Sequence, residues 1–165
     1  MPQRSRRIAV LAHCHLNVNT KVRGLAGYPG VRADVVTPLV AEGVGIIQLP
    51  CPEATFLGMK RWGMTVEQYD TPAYRRHCRR ILRPVIDTLV ALADDGCSIE
   101  AVLGVEGSPS CGVETTCGGC TGGEIEDASE QKADRVAGRG VLIDELRAMM
   151  DDAGLGAVPF SGVED

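Results

Sequence analysis

Residues 7–14 read RIAVLAHC: an apolar, partly β-branched run the length of a buried strand, followed at once by polar residues and Cys14. The pattern recurs twice. Residues 45–49 (GIIQL) form a second such run, closed by Pro50 and followed by Cys51. Residues 100–105 (EAVLGV) form a third, opening into the turn-rich Gly107-Ser108-Pro109-Ser110 and then Cys111. Helical stretches separate the runs. Residues 35–42 read as a helix stopped by Gly43. Over residues 71–95 the apolar Tyr74, Ile81, Leu82, Val85, Ile86, Leu89 and Leu92 recur at spacings of three and four, an amphipathic helix that Pro84 is expected to kink and Gly96 to end. Residues 112–123 carry five glycines and read as loop. Helical spacing returns over 141–152, and residues 156–160 read as a fourth strand. Strands alternating with helices predict an α/β fold: a three-layer, Rossmann-like sandwich with a mostly parallel central sheet and helices on both faces.

The 165 residues, 44% of them hydrophobic, suffice for one domain over 1–165 with a core of its own. No apolar stretch approaches the ~18 residues of a membrane span. The five-residue apolar run after the basic N-terminus is short for a secretory signal, so the expected setting is the cytoplasm. A net charge of −5, from 17 basic and 22 acidic residues, argues against a broad electrostatic grip on nucleic acid and for a small ligand. No phosphate-binding loop or dinucleotide fingerprint appears.

Seven cysteines are many for a chain whose thiols are expected to stay reduced, and the odd number speaks against a complete disulfide framework. Open parallel sheets bind ligands beyond the carboxyl ends of their strands. Cys14, Cys51 and Cys111 each follow a different predicted strand, so thiols 37 and 60 residues apart are expected to meet at one rim. Soft sulfur donors favour zinc or iron-sulfur centres, and three protein ligands leave a coordination position open. Cys78 falls on the apolar seam of the long helix and reads as a simple buried residue, and Cys97 is read the same way. Glu53, two residues past Cys51, is placed either as a general acid or base or as a helix-start or surface carboxylate. Ser108 and Ser110 flank a turn whose backbone N–H groups suit an anion.

Taken in order, Ala12-His13-Cys14, Cys51-Pro52-Glu53 and Ser108-Pro109-Ser110-Cys111-Gly112 resemble the thiouracil desulfidase (TudS) family, small proteins that use an iron-sulfur cluster to remove sulfur from thiolated uracil. The resemblance implies a 4Fe-4S cluster held by Cys14, Cys51 and Cys111, with the fourth iron left to take the sulfur of a small thiolated heterocycle. It also implies that Glu53 and Ser108 assist hydrolysis of the C–S bond. The chain departs from the family at His13-Cys14-His15-Leu16-Asn17, where an apolar stretch is usual, and at Cys117-Gly118-Gly119-Cys120. For that C-x-x-C pair three readings stand: one thiol replaces Cys111 as third ligand, the pair accepts or relays released sulfur, or the loop is disordered without ligand.

Other features are weighed on their residues. His13 and His15 read as loop residues with local hydrogen bonds, or as proton donors in the pocket. Asn17 reads as a loop cap or a group that binds a base. Arg75, Arg76, Arg79, Arg80 and Arg83 form a basic stripe, read as a solvated helix face, with contact to a thiolated tRNA kept open. The acidic residues 124–134 read as exposed helix or loop. Trp62, with Phe56 and Tyr69, is either a stacking lid or a loop anchor. A homodimer is left open. Two rivals remain: a closed zinc site in which a C-x-x-C thiol joins the trio, and a thiol redox or sulfur-carrier protein working through Cys117 and Cys120.

Overall fold

The computed structural model describes residues 3–124 and 133–164. Within them run strands β1 (Arg7–Leu11), β2 (Gly45–Gln48), β3 (Ser98–Val105), β4 (Thr115–Gly118), β5 (Asp134–Ala137) and β6 (Phe160–Val163), with helices α1 (His13–Leu16), α2 (Ala33–Ala41), α3 (Pro52–Leu57), α4 (Val66–Tyr69), α5 (Pro72–Asp94) and α6 (Val141–Asp152). Strands β2-β1-β3-β6 form one wholly parallel sheet in that order. Side chains alternate across a strand, and β1 shows the consequence. Val10 joins the core built with Leu82, Ile86 and Leu89 of α5 and Leu142, Leu146 and Met150 of α6. Its neighbours Ala9 and Leu11 face the other way, against Val35, Val36 and Leu39 of α2. The predicted α/β sandwich with a parallel sheet between helices is therefore the observed fold.

Helix α5 starts where Thr71 accepts the Tyr74 N–H at 3.2 Å and Pro72 opens the first turn. It passes Pro84 as one continuous 23-residue element, and its seam buries Tyr74, His77, Cys78, Leu82, Ile86 and Leu89. Each fully buried leucine there contributes on the order of 2 kcal/mol. Cys78 is buried as expected, whereas Cys97 lies half-buried on the turn into β3. The basic stripe is not uniformly solvated. Arg75 binds Asp70, Asp144 and Glu145, and Arg79 binds Glu145 at 2.7 Å, so the stripe's first turns clamp α5 onto α6.

Two further expectations change. Residues 115–118 are β4, which pairs antiparallel with β5, so the glycine-rich stretch is partly a hairpin strand and Cys117 stands opposite Arg135. The last sheet strand is Phe160–Val163 rather than 156–160: the Pro159 carbonyl accepts from Val102 N–H at 2.9 Å, and pairing runs on from there. Proline has no N–H to donate, which suits the first position of a strand. Most of the acidic 124–134 segment lies outside the described residues. No helix among the described residues is long and apolar enough to cross a membrane.

Candidate functional site

Beyond the carboxyl ends of β1, β2 and β3 lies a cavity of about 580 Å³ whose wall includes Cys14, Cys51, Cys111, Glu53 and Ser108. All five residues singled out in the sequence thus reach one space. Because β1 sits between β2 and β3, the chain after β1 emerges between the other two. Cys14 lies in the short α1, directly after β1. Cys51 caps α3, its Sγ accepting the Ala54 N–H at 3.4 Å, with Pro52 opening the helix. Cys111 ends a tight turn in which Ser108 Oγ accepts the N–H groups of Cys111 at 2.9 Å and Ser110 at 3.3 Å. The α6 N-terminus packs on that turn, with Val141 N–H bound to Pro109 O and Leu142 N–H to Ser110 O.

The thiols feel each other. Burial pushes the Cys111 thiol well above the usual range, and the nearby Cys14, Cys51 and Glu53 push it further. Burial also raises the Cys51 thiol, with a smaller push from Glu53. None of the seven cysteines is in a disulfide. As a donor set, three soft thiols facing one largely apolar space suit a thiophilic metal group, since a cation would remove the penalty of thiolates held side by side. Among the described residues no three His, Cys, Asp or Glu side chains stand together closely enough to hold a single metal ion.

Glu53 is the polar centre. Its side chain is 13% exposed and pairs at 3.1 Å with Arg61, which is 3% exposed and also donates to Gly58 O at 3.0 Å and Thr20 O at 2.6 Å. The hydroxyl against Glu53 belongs to Ser110, not Ser108: Ser110 Oγ donates to Glu53 Oε1 at 2.9 Å and therefore accepts from the Tyr74 hydroxyl at 2.8 Å. Burial holds the Tyr74 phenol far above its ordinary range, so it stays protonated and donating. Arg61 and Tyr74 carried no readable signal, because each meets Glu53 or Ser110 from a separate element.

The histidines divide. His15 is fully buried and its Nε2 donates to Gly104 O at 2.9 Å, tying α1 to β3. His13 lines the cavity, its Nε2 has no hydrogen-bond partner among the described residues, and burial lowers its pKa. Asn17 caps the following turn by accepting from Asn19 N–H. Cys117 also borders the cavity, with its thiol raised by burial and by Glu67 and Asp134. Phe56 and Tyr69 pack on Tyr74 rather than over the cavity, and Trp62 is 86% exposed.

No family model matches the chain. Over 110 residues it is 40% identical to the uncharacterized protein MJ0003 of Methanocaldococcus jannaschii, an alignment spanning 67% of this chain and 70% of that protein. Among solved structures it resembles a 4Fe-4S-dependent thiouracil desulfidase, TudS, with a TM-score of 0.50 and 20% identity over 94% of this chain and 90% of the other. At that identity the likeness is one of fold.

Proposed function

We propose that this chain, which belongs to the same family as the uncharacterized protein MJ0003 of Methanocaldococcus jannaschii, is an iron-sulfur-dependent desulfidase that hydrolyses the C–S bond of a small thiolated heterocycle such as thiouracil. The observation that carries the reading is the meeting of Cys14, Cys51 and Cys111 in one cavity with the Glu53–Arg61–Ser110–Tyr74 network. The fold shared with a thiouracil desulfidase supports it. Three thiols suit a 4Fe-4S cluster with one iron left without a protein ligand better than a closed zinc site, which needs a fourth protein donor.

Cys14, Cys51 and Cys111 would hold the cluster. When bound, it supplies an iron without a protein ligand, a Lewis acid with affinity for a thiocarbonyl sulfur. The chain's own residues do the rest. Glu53, fixed by Arg61, takes the proton of a water that attacks the thiocarbonyl carbon. Ser110 donates to Glu53 Oε1, and the Tyr74 hydroxyl behind it resupplies a hydrogen bond as charge at the carboxylate changes. Oxygen replaces sulfur at carbon, sulfur leaves as sulfide, and no electrons are gained or lost.

Iron and acid-labile sulfide measured on anaerobically purified protein test the reading, followed by assay of 2-thiouracil conversion to uracil. About four irons and four sulfides per chain, lost in Cys14→Ala, Cys51→Ala or Cys111→Ala together with sulfide release, are expected. Zinc without sulfide overturns it in favour of a structural metal site. Activity that needs no iron and vanishes in Cys117→Ser/Cys120→Ser overturns it in favour of thiol chemistry.

A further inference from the structure

Trp62 is the only tryptophan of the chain, and it is 86% exposed. Its two neighbours, Arg61 and Gly63, both line the cavity, so its backbone sits at the rim, while its own side chain is not part of the cavity wall. The rim is held still beneath it. Arg61 is buried and tied to Glu53, Gly58 O and Thr20 O, and Gly58 turns the chain into this loop at a φ of +79°. Leu25, 61% exposed, also lines the cavity, and Met59, three residues before Trp62, is 48% exposed.

The remaining aromatic side chains are all committed elsewhere. The chain has two Phe and three Tyr. Phe56 and Tyr69 pack on Tyr74, Tyr28 lies under Lys21 and Arg32 with its hydroxyl bound to Cys14 O, and Phe160 lies under Arg147. The cavity wall therefore contains no Phe, Tyr or Trp ring among the described residues, only the imidazole of His13. A site for a planar heterocycle that lacks an aromatic face in its wall, with one bare indole on its rim, points to a ring that arrives with the ligand.

We propose that Trp62 is the substrate-stacking residue of this site: its indole turns over the cavity mouth and covers the face of a planar thiolated heterocycle. This rests on the heterocycle reading above and deepens it, since it makes planarity a requirement for tight binding. Stacking on an aromatic side chain is tolerant of substituents, because every such heterocycle presents a π-face.

The single indole makes the test direct. With the anaerobically reconstituted full chain, uracil should change Trp62 emission saturably, and the puckered 5,6-dihydrouracil should not. Trp62→Ala should raise KM for 2-thiouracil about tenfold, equivalent to about 1.4 kcal/mol, with kcat within about twofold, and Trp62→Phe should recover most of the loss. The exposed position spares the fold, which circular dichroism checks. Turnover of 2-thiouracil with unchanged KM in Trp62→Ala and no response to uracil overturns the stacking role and leaves the desulfidase reading standing. A saturable response to uracil without turnover of thiolated pyrimidines upholds the stacking role and fails the desulfidase. Loss of a dimer in Trp62→Ala with KM unchanged makes the patch a contact between copies and overturns the proposal.

Discussion

Ser108 and Ser110 stand two residues apart with hydroxyls turned to different partners. Ser110 Oγ bridges Glu53 and Tyr74, whereas Ser108 Oγ accepts the backbone N–H groups that shape the Cys111 turn. Ser110→Ala leaves a buried phenol and a carboxylate each one partner short, a cost of about 1–3 kcal/mol, and is expected to lower kcat about a hundredfold, within the range of a lost proton-handling group. Ser108→Ala removes a cap-like acceptor worth about 1 kcal/mol and should lower kcat by about tenfold or less. Steady-state desulfurisation and urea unfolding of both variants check this; a larger loss of kcat in Ser108→Ala would restore the serine chosen from sequence. That the three cysteines and Glu53 would line one cavity was legible because each follows a strand, and strand ends share a rim. The choice between serines was not legible, since it depends on which hydroxyl a distant Glu53 and Tyr74 reach.

At the scale of elements, the cysteine-bearing turn is held from behind by the start of α6. A Cβ added at Gly140 would run into the Ser110 carbonyl carbon and come within 2.6 Å of Cys111 N, both backbone atoms with nowhere to yield. Gly140→Ala should destabilise the protein by about 1–3 kcal/mol and lower bound iron together, and full iron content in a stable variant would refute the coupling. The α3–α5 contact makes a different forecast. His77 Nε2 faces Thr55 Oγ1 at 2.8 Å while its Nδ1 accepts from Arg80 at 2.9 Å, so protonating Nδ1 sets a donor against a guanidinium. Burial, with Arg80 adding to it, lowers the His77 pKa below its ordinary value. The folded state thus disfavours the charged ring, and this stability is present above about pH 6.5 and lost as pH falls below it. The drop in unfolding free energy between about pH 7.5 and 5.5 should shrink in His77→Gln; an equal drop would show that other groups carry it. The long helices were legible because their apolar residues recur through several turns. The β4–β5 hairpin was not: β4 is four residues ending in a glycine, and every residue of β5 is exposed, so neither strand carries an alternating apolar signal.

For the whole molecule, the parallel sheet has a mechanical consequence for cluster binding. The proposed ligands Cys14, Cys51 and Cys111, from the ends of β1, β2 and β3, would join three strands whose pairing is otherwise only lateral, and they lie 37 and 60 residues apart in sequence. An unfolded chain cannot present them together, so a group bound by all three favours the folded state by mass action. A ligand at a thousand times its dissociation constant adds about 4 kcal/mol, and in a chain of this size each kcal/mol moves the midpoint by about 2–4 °C. Anaerobically reconstituted protein should therefore melt on the order of 10 °C above the same protein stripped by chelator under reducing conditions. Cys51→Ala should abolish most of that difference, because β2 is the edge strand whose ligand ties the sheet margin to its centre. Equal melting points for loaded and stripped protein would mean that the three strand ends are not joined by a common group, and the reading of the cavity as a cluster site would fall with that result.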